Sequence, residues 1–331
     1  MGGPLLEELE IIYGIASLNP MVTVLLTHPE CLLHETPQGA PECVDRLRRI
    51  LDALDEPRFN ELERHSAPLC EESDILLVHS PDYLERVKSS IPSDDFEWLD
   101  SDTYLSPGSL AAAYRAVGAS VNAIDKVVSG EATNVFCAIR PPGHHAKYEN
   151  AMGFCIFGNV AIAARHAIER HDMSRVAIVD FDVHHGNGTQ ELLWSESRTL
   201  FISSHQSPLY PSTGGKDETG ANQNIINIPL PIGCDSNQFR YLLEKELIPQ
   251  LDTYAPELII ISAGFDAHRA DPLAQIELEV EDFIWITHVL CDIADKHAKG
   301  RIVSILEGGY DLDALQESVS AHVDVLIARS G

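Results

Sequence analysis

The sequence predicts an α/β protein: one central, mostly parallel sheet with helices on both faces and an active site at the carboxyl ends of its strands. Three observations lead there. Short β-branched runs alternate with longer helical stretches, the runs are nearly all apolar instead of alternating with polar residues, and polar motifs follow directly after them. Continuous apolar runs belong to strands covered on both faces, and the intervening stretches are long enough to be crossover helices.

In chain order, the run at 22–26 (VTVLL) is the first strand and the Ala-rich stretch 109–128 the first long helix. Strand 135–138 (VFCA) follows, then helix 160–170, strand 176–179 (VAIV), strand 200–202 (LFI) and strand 225–228 (IINI). Helix 238–251, strand 258–261 (LIII), helix 281–299, strand 302–306 (IVSIL) and helix 312–329 complete the rhythm. No repeat, low-complexity tract or Pro/Ser/Gly-rich linker interrupts it, so residues 21–331 are expected to form a single catalytic domain. Residues 1–20 carry Glu7, Glu8 and Glu10 and no Lys or Arg, unlike the charged start of a secretory signal, and are expected to be a dispensable extension.

With 44% hydrophobic and 22% charged residues the 331-residue chain has the make-up of a globular protein that buries a large core. The 23 Lys and Arg against 51 Asp and Glu leave a net charge of −28, which argues against direct nucleic-acid binding. Apolar runs fall short of the roughly 18–20 residues that cross a bilayer, so no membrane partner is expected. Seven cysteines without a C-x-x-C pair suit a reducing, cytoplasmic setting.

The chemistry-bearing residues follow strand ends. RPPGHH (140–145) comes after the strand at 135–138, DFDVHHGNG (180–188) after 176–179, and SSH (203–205) after 200–202. SAGFD (262–266) follows 258–261, and EGGY (307–310) follows 302–306. In an open parallel sheet these positions share one rim, where ligands bind. Asp182 and His184, two apart in extended backbone, point to the same side, and Asp266 from a neighbouring strand makes an Asp2His set with a coordination position to spare. That donor mix suits zinc, with iron and manganese also compatible by ligand type.

Adjacent His144 and His145 form a candidate acid/base pair, with Asp180 and Asn187 as partners behind them. The carboxylate would raise one histidine's basicity, while the amide could only orient the other. Tyr310 sits on a glycine-rich, flexible tight turn, from which its hydroxyl can donate to an oxyanion. Gly153-Phe154 and Pro208-Leu209-Tyr210 are candidate walls of an apolar slot. Singly, each residue also has an ordinary reading as a cap, a turn or a packed side chain; it is their combination that points to a metal hydrolase.

These residues resemble the histone deacetylase family, including its bacterial deacetylase-like and acetylpolyamine amidohydrolase members, from about residue 22 to 328. The resemblance rests on RPPGHHA (140–146), GFC (153–155), DFDVHHGNGTQ (180–190), SAGFDAHRADPL (262–273) and LEGGYD (306–311). It implies the arginase/deacetylase-like fold and one zinc ion per chain on Asp182, His184 and Asp266. It also implies a His144–His145 dyad with Asp180 and Asn187 behind it, and Tyr310 as the oxyanion donor. Gly153, Phe154 and Tyr210 match the tunnel, and Asp102 matches a rim aspartate that binds peptide amides. Oxygens of Asp180, Asp182, His184, Ser203 and Ser204 match a structural potassium site.

The implied reaction is hydrolysis of an acetylated lysine in a peptide or protein, or of an acetylated small amine, to acetate and free amine. Asn187 together with RPPGHHA looks like the class II branch, and Tyr310 stands where poorly active relatives carry histidine. Two departures matter. In APECVDRL (40–47), Cys43 and Val44 replace an arginine and a proline, so the N-terminal loop is expected to differ. Leu273 stands where one polyamine-selective relative has glutamate, which weakens the acetylpolyamine alternative. An arginase-type two-metal site would need a bridging carboxylate where Gly186 and Asn187 stand, and a silent acyl-lysine or metal-binding module would not need Tyr310 and both histidines.

Overall fold

The computed structural model describes residues 22–330; the expectation for residues 1–20 lies outside them. Ten strands are present: β1 (Thr23–Thr27), β2 (Glu63–Ser66), β3 (Glu97–Trp98), β4 (Tyr104–Leu105), β5 (Asn134–Cys137), β6 (Val176–Asp180), β7 (Thr199–Gln206), β8 (Ile225–Leu230), β9 (Leu258–Ala263) and β10 (Ile302–Leu306). The helices are α1 (Val44–Leu54), α2 (Glu72–Ile75), α3 (Pro81–Ser89), α4 (Ser109–Ser129), α5 (Asn159–His171), α6 (Asn187–Leu193), α7 (Ser236–Glu246), α8 (Ile248–Tyr254), α9 (Val280–His297) and α10 (Leu312–Ala328).

Eight strands form one sheet in the order β2-β1-β5-β10-β9-β6-β7-β8, and every pair in it is parallel. Strands β5, β6, β9 and β10 are buried at every residue, as a sheet sandwiched between helix layers requires. Helix α4 packs on α5, whereas α10 packs on α1 and α9. All seven runs read as strands are strands. The unread β2 (ERHS) is an exposed edge strand whose charges leave no apolar signal and blunt the edge against further pairing. Beyond the sheet, β3 and β4 form a small antiparallel hairpin.

One helix differs from expectation: the stretch 238–251 divides at Leu247 into α7 and α8, with Pro249 in the first turn of α8. Proline lacks the N–H that a continuous helix would need there, but is well tolerated in a first turn. The five motif-bearing strands are contiguous in the sheet, as β5-β10-β9-β6-β7. Register keeps their ends level, with Asp180 opposite both Ser203 and Ser262 and Leu306 opposite Ala263. Everything that follows these strands therefore meets at one place. Among the described residues no helix is long and apolar enough to cross a membrane.

Strand β9 lies at the centre of the sheet and is buried at every residue. Ile260, fully buried, is expected to lose about 2–5 kcal/mol of stability as Ile260→Ala, read from denaturant unfolding followed by circular dichroism. A loss below 1 kcal/mol would contradict its central placement.

Candidate active site

Past β6 the chain turns sharply, and Asp182 and His184 point to the same centre as Asp266 from the end of β9. His184 Nδ1 lies 3.1 Å from Asp182 Oδ1 and 3.1 Å from Asp266 Oδ2, and all three residues are buried. Each carboxylate is aimed by the backbone: Asp182 accepts from His184 N (2.8 Å) and Gly308 N (2.9 Å), and Asp266 from Val183 N (2.8 Å). Gly308 is required for this approach, since a Cβ there would lie 2.2 Å from Asp266 Oδ2 and 2.4 Å from Asp182 Oδ2.

Two buried carboxylates this close call for a positive charge between them. Within the protein that charge comes from His184: burial pushes the imidazole down, but its bonds to Asp182 and Asp266 outweigh this and lift it to about 10. A divalent cation bound to the same three atoms would take over that role, so the donor set and its electrostatics fit a zinc site.

The histidine pair comes from the loop after β5. His144 Nδ1 is 3.1 Å from Asp180 Oδ2, His145 Nδ1 is 2.7 Å from Asn187 Oδ1, and the two rings are 4.0 Å apart. Burial works against charge on both. For His144 the charges of Asp182 and Asp180 prevail and raise it well above its ordinary value. For His145 burial is reinforced by His144 and His184, and it falls well below. The loop is seated on Glu307, whose Oε2 accepts from Gly143 N (2.7 Å) and His144 N (3.1 Å). Gly153 packs against the ring of His145, where a Cβ would meet Cδ2 at 2.3 Å, and Phe154 follows at φ +66°. Such a left-handed phenylalanine costs on the order of 1 kcal/mol and turns the ring edge-on to Tyr310 at 5.9 Å.

Tyr310 is not on a free turn. Its own N donates to Asp271 Oδ2 at 2.7 Å, Arg46 Nε donates to Gly309 O at 2.6 Å, and Arg46 also donates to Glu307 O. The Arg46 guanidinium lies 4.9 Å from the Tyr310 ring centroid. Arg46 is held in turn by Glu42 (2.9 Å), both of whose oxygens also accept from Arg140. This Arg–Glu–Arg triad is fully buried. It ties α1, the end of β5 and the loop after β10 together. Burial and the neighbouring Asp266 and Asp182 hold the Tyr310 phenol well above its ordinary range against the pull of Arg46, so the phenol keeps its proton.

A cleft of about 220 Å³ leads to this centre, lined by Asp102, His145, Gly153, Phe154, His184, Leu209, Tyr210, Leu273 and Tyr310. Asp102 is already engaged at its mouth: Oδ1 accepts from Gly153 N (2.9 Å), Oδ2 from Tyr210 OH (3.0 Å). Ser203 Oγ pairs with His205 Nδ1 at 3.0 Å and His205 Nε2 faces Gly214 O, which makes His205 structural. His185 bonds Thr213 Oγ1 (2.7 Å) and Gln190 Oε1 (3.1 Å), so it adds nothing to the Asp182 cluster.

The structure thus brings together the residues expected at the metal and the dyad and, of the expected slot walls, Gly153, Phe154, Leu209 and Tyr210, whereas Pro208 does not line the cleft. It adds Glu42, Arg46, Asp271 and Glu307, which the sequence reading assigned no role. All four lie inside motif strings already singled out, but their partners are distant in sequence.

The histone deacetylase domain family model matches residues 40–326 of the chain. The histone deacetylase-like amidohydrolase of Pseudomonas aeruginosa is 38% identical over 275 residues, covering 82% of this chain and 72% of that protein. The type-2 histone deacetylase 2 of Dictyostelium discoideum is 36% identical over 93% of this chain, which spans 21% of that much longer protein. Among solved structures, the crystal structure of the HDA15 HD domain superposes with a TM-score of 0.88 at 32% identity, covering 93% of this chain and 88% of that one.

The buried triad has a measurable signature. Burial raises Glu42, but Arg140 and Arg46 more than compensate and hold it at about 2 against an ordinary 4.5. Its contribution to stability is present above pH 4.5 and is lost as pH falls toward about 2. Glu42→Gln leaves two buried guanidinium groups without a counter-charge and is expected to cost about 3–5 kcal/mol at pH 7. In chemical unfolding, its further loss between pH 4.5 and 2 should be shallower than that of the wild type.

Proposed function

The chain belongs to the histone deacetylase family, and from that premise we propose that it is a zinc-dependent amidohydrolase. It cleaves the amide of acetyl-lysine in a peptide or protein, or of a similar N-acyl amine, to acetate and the free amine. One observation supports the reading: a single cleft is lined by His184 of the Asp182–His184–Asp266 cluster, by His145 of the histidine pair and by Tyr310.

Asp182, His184 and Asp266 would hold one zinc ion, which when bound supplies a Lewis acid that polarises the carbonyl and raises the acidity of water. The protein's own groups do the rest. His145, its Nδ1–H directed to Asn187 Oδ1, presents an unprotonated Nε2 that takes a proton from the attacking water and returns it to the leaving nitrogen. His144, paired with Asp180, keeps its proton and offers positive charge beside the reacting centre. Tyr310 donates to the carbonyl oxygen as it gains charge. Phe154, Leu209, Tyr210 and Leu273 enclose the methylene chain of the substrate and keep water from it.

At the mouth, Asp102 offers carboxylate oxygens to backbone amides of a peptide once Tyr210 yields its bond. A structural potassium belongs to the same proposal, on oxygens of Asp180, Asp182, His184, Ser203 and Ser204. Ser204 Oγ, buried, has no hydrogen-bond partner among the described residues. Seven free thiols support a reducing, cytoplasmic setting.

Acetate release from an acetyl-lysine peptide and from N-acetylputrescine by zinc-loaded protein tests the substrate class. Peptide preference is expected, because Leu273 leaves Asp102 as the one acidic side chain lining the cleft among the described residues; polyamine preference would replace this reading with the acetylpolyamine one. Tyr310→Phe is expected to lower kcat about 10²–10³-fold with zinc content unchanged, whereas Asp266→Ala loses the activity and the zinc equivalent assigned to Asp182, His184 and Asp266. If Asp266→Ala keeps full zinc and activity, the ligand assignment is wrong.

A further inference from the structure

At the opposite rim of the sheet a second cluster joins α4 to α5. Asp125 Oδ1, near the end of α4, lies 2.8 Å from His166 Nε2 and 2.7 Å from His171 Nε2 on α5. The two imidazole rings stand edge to face, 5.5 Å apart. The three ligand-capable atoms all lie within 4.8 Å of one another. Both helices run from here straight into the amino ends of β5 and β6, so this cluster is separated from the cleft by the length of the sheet.

Hydrogen-bond accounting singles out His166. Its Nε2 meets one carboxylate, and its Nδ1 faces a second, Asp74 Oδ1, at 3.7 Å. Asp74 cannot turn away, because its Oδ2 caps the start of α2 by accepting from Glu71 N at 3.0 Å. A neutral imidazole has one N–H for these two acceptors. As it stands, Nδ1 is buried without a hydrogen-bond partner among the described residues. A cation between Nε2 and Asp125 resolves the conflict: His166 then directs its only N–H, at Nδ1, to Asp74. That is the carboxylate–histidine–metal arrangement that fixes ligand tautomers in metal sites.

We propose that Asp125, His166 and His171 bind a second zinc ion, which cross-links α4 to α5 with Asp74 orienting His166. Two imidazole nitrogens and one carboxylate are a zinc-type donor set. Asp125, 46% exposed, and His171, 25% exposed, leave an entry path and room for water as the fourth ligand. This site is independent of the deacetylase reading, since it shares no residue with the cleft.

Zinc content after equilibration with a small excess of free zinc and removal of the unbound ion provides the test, by elemental analysis of the full chain. His171→Ala and Asp125→Asn are each expected to hold one equivalent fewer than the wild type while releasing acetate at the wild-type rate. Asp266→Ala is expected to retain one equivalent, and the Asp266→Ala/His171→Ala double variant none. Equal zinc content in the wild type, His171→Ala and Asp125→Asn overturns the proposal, as does an Asp266→Ala protein that holds none. Loss of activity alone, with these differences intact, would bear on the deacetylase reading and not on this site.

Discussion

Two carboxylates, Asp182 and Asp266, are pressed against one imidazole in a site shielded from water, and much of the surrounding structure follows from that confinement. Buried like charges are tolerated only where donors and a compensating charge are already in place. Here the donors are backbone N–H groups of Val183, His184 and Gly308, delivered by the ends of β6 and β10, which flank β9 in the sheet. Glycine at 308 is a consequence, because any side chain there would occupy the space of the carboxylate oxygens. The parallel sheet supplies the geometry: it brings strand ends of unrelated sequence position level with one another, and their loops need only a few residues to reach a common point.

The same logic extends outward in a second buried layer. Glu42 is shared by Arg46 and Arg140; Arg46 grips the carbonyls of Glu307 and Gly309, while Glu307 seats the loop that carries the histidine pair. A displacement of this triad would therefore be felt by Tyr310 and His144 together. The departures at Cys43 and Val44 leave both Glu42 and Arg46 in place. The altered string thus keeps the two side chains that anchor Arg140 and the loop after β10, and the difference expected of this segment does not extend to its buried anchor.

Legibility in the sequence tracks the range of the interaction that produces each feature. Strands such as β6 and β9 were readable because their burial on both faces writes itself into consecutive apolar residues. The edge strand β2 was not, since an edge selects for charge. Proline at 249 was visible, yet the break it marks was read through, because the amphipathic pattern continues on both sides of it. At the site, Asp182, His184, His144, His145 and Tyr310 stood out as reactive residue types immediately after strands. Asp271 and Glu307 are equally close to strand ends, but an acid after a strand is common, and their work is to accept backbone bonds from loops remote in sequence. The glycine-rich turn before Tyr310 looked flexible because glycine permits motion; what removes it is contact with Arg46 and Asp271.

The sequence by itself determined the α/β alternation, the strand ends from which the chemistry projects and the kinds of side chain available there. These are local properties, carried by apolar run length and residue type. Only the tertiary structure decided which carboxylate stands behind which histidine, that Glu42 answers Arg140 across 98 residues of chain, and that Asp125 and Asp74 flank one imidazole. Such pairings depend on strand order and helix packing, which bring distant residues within 4 Å of each other and leave no periodic trace along the chain.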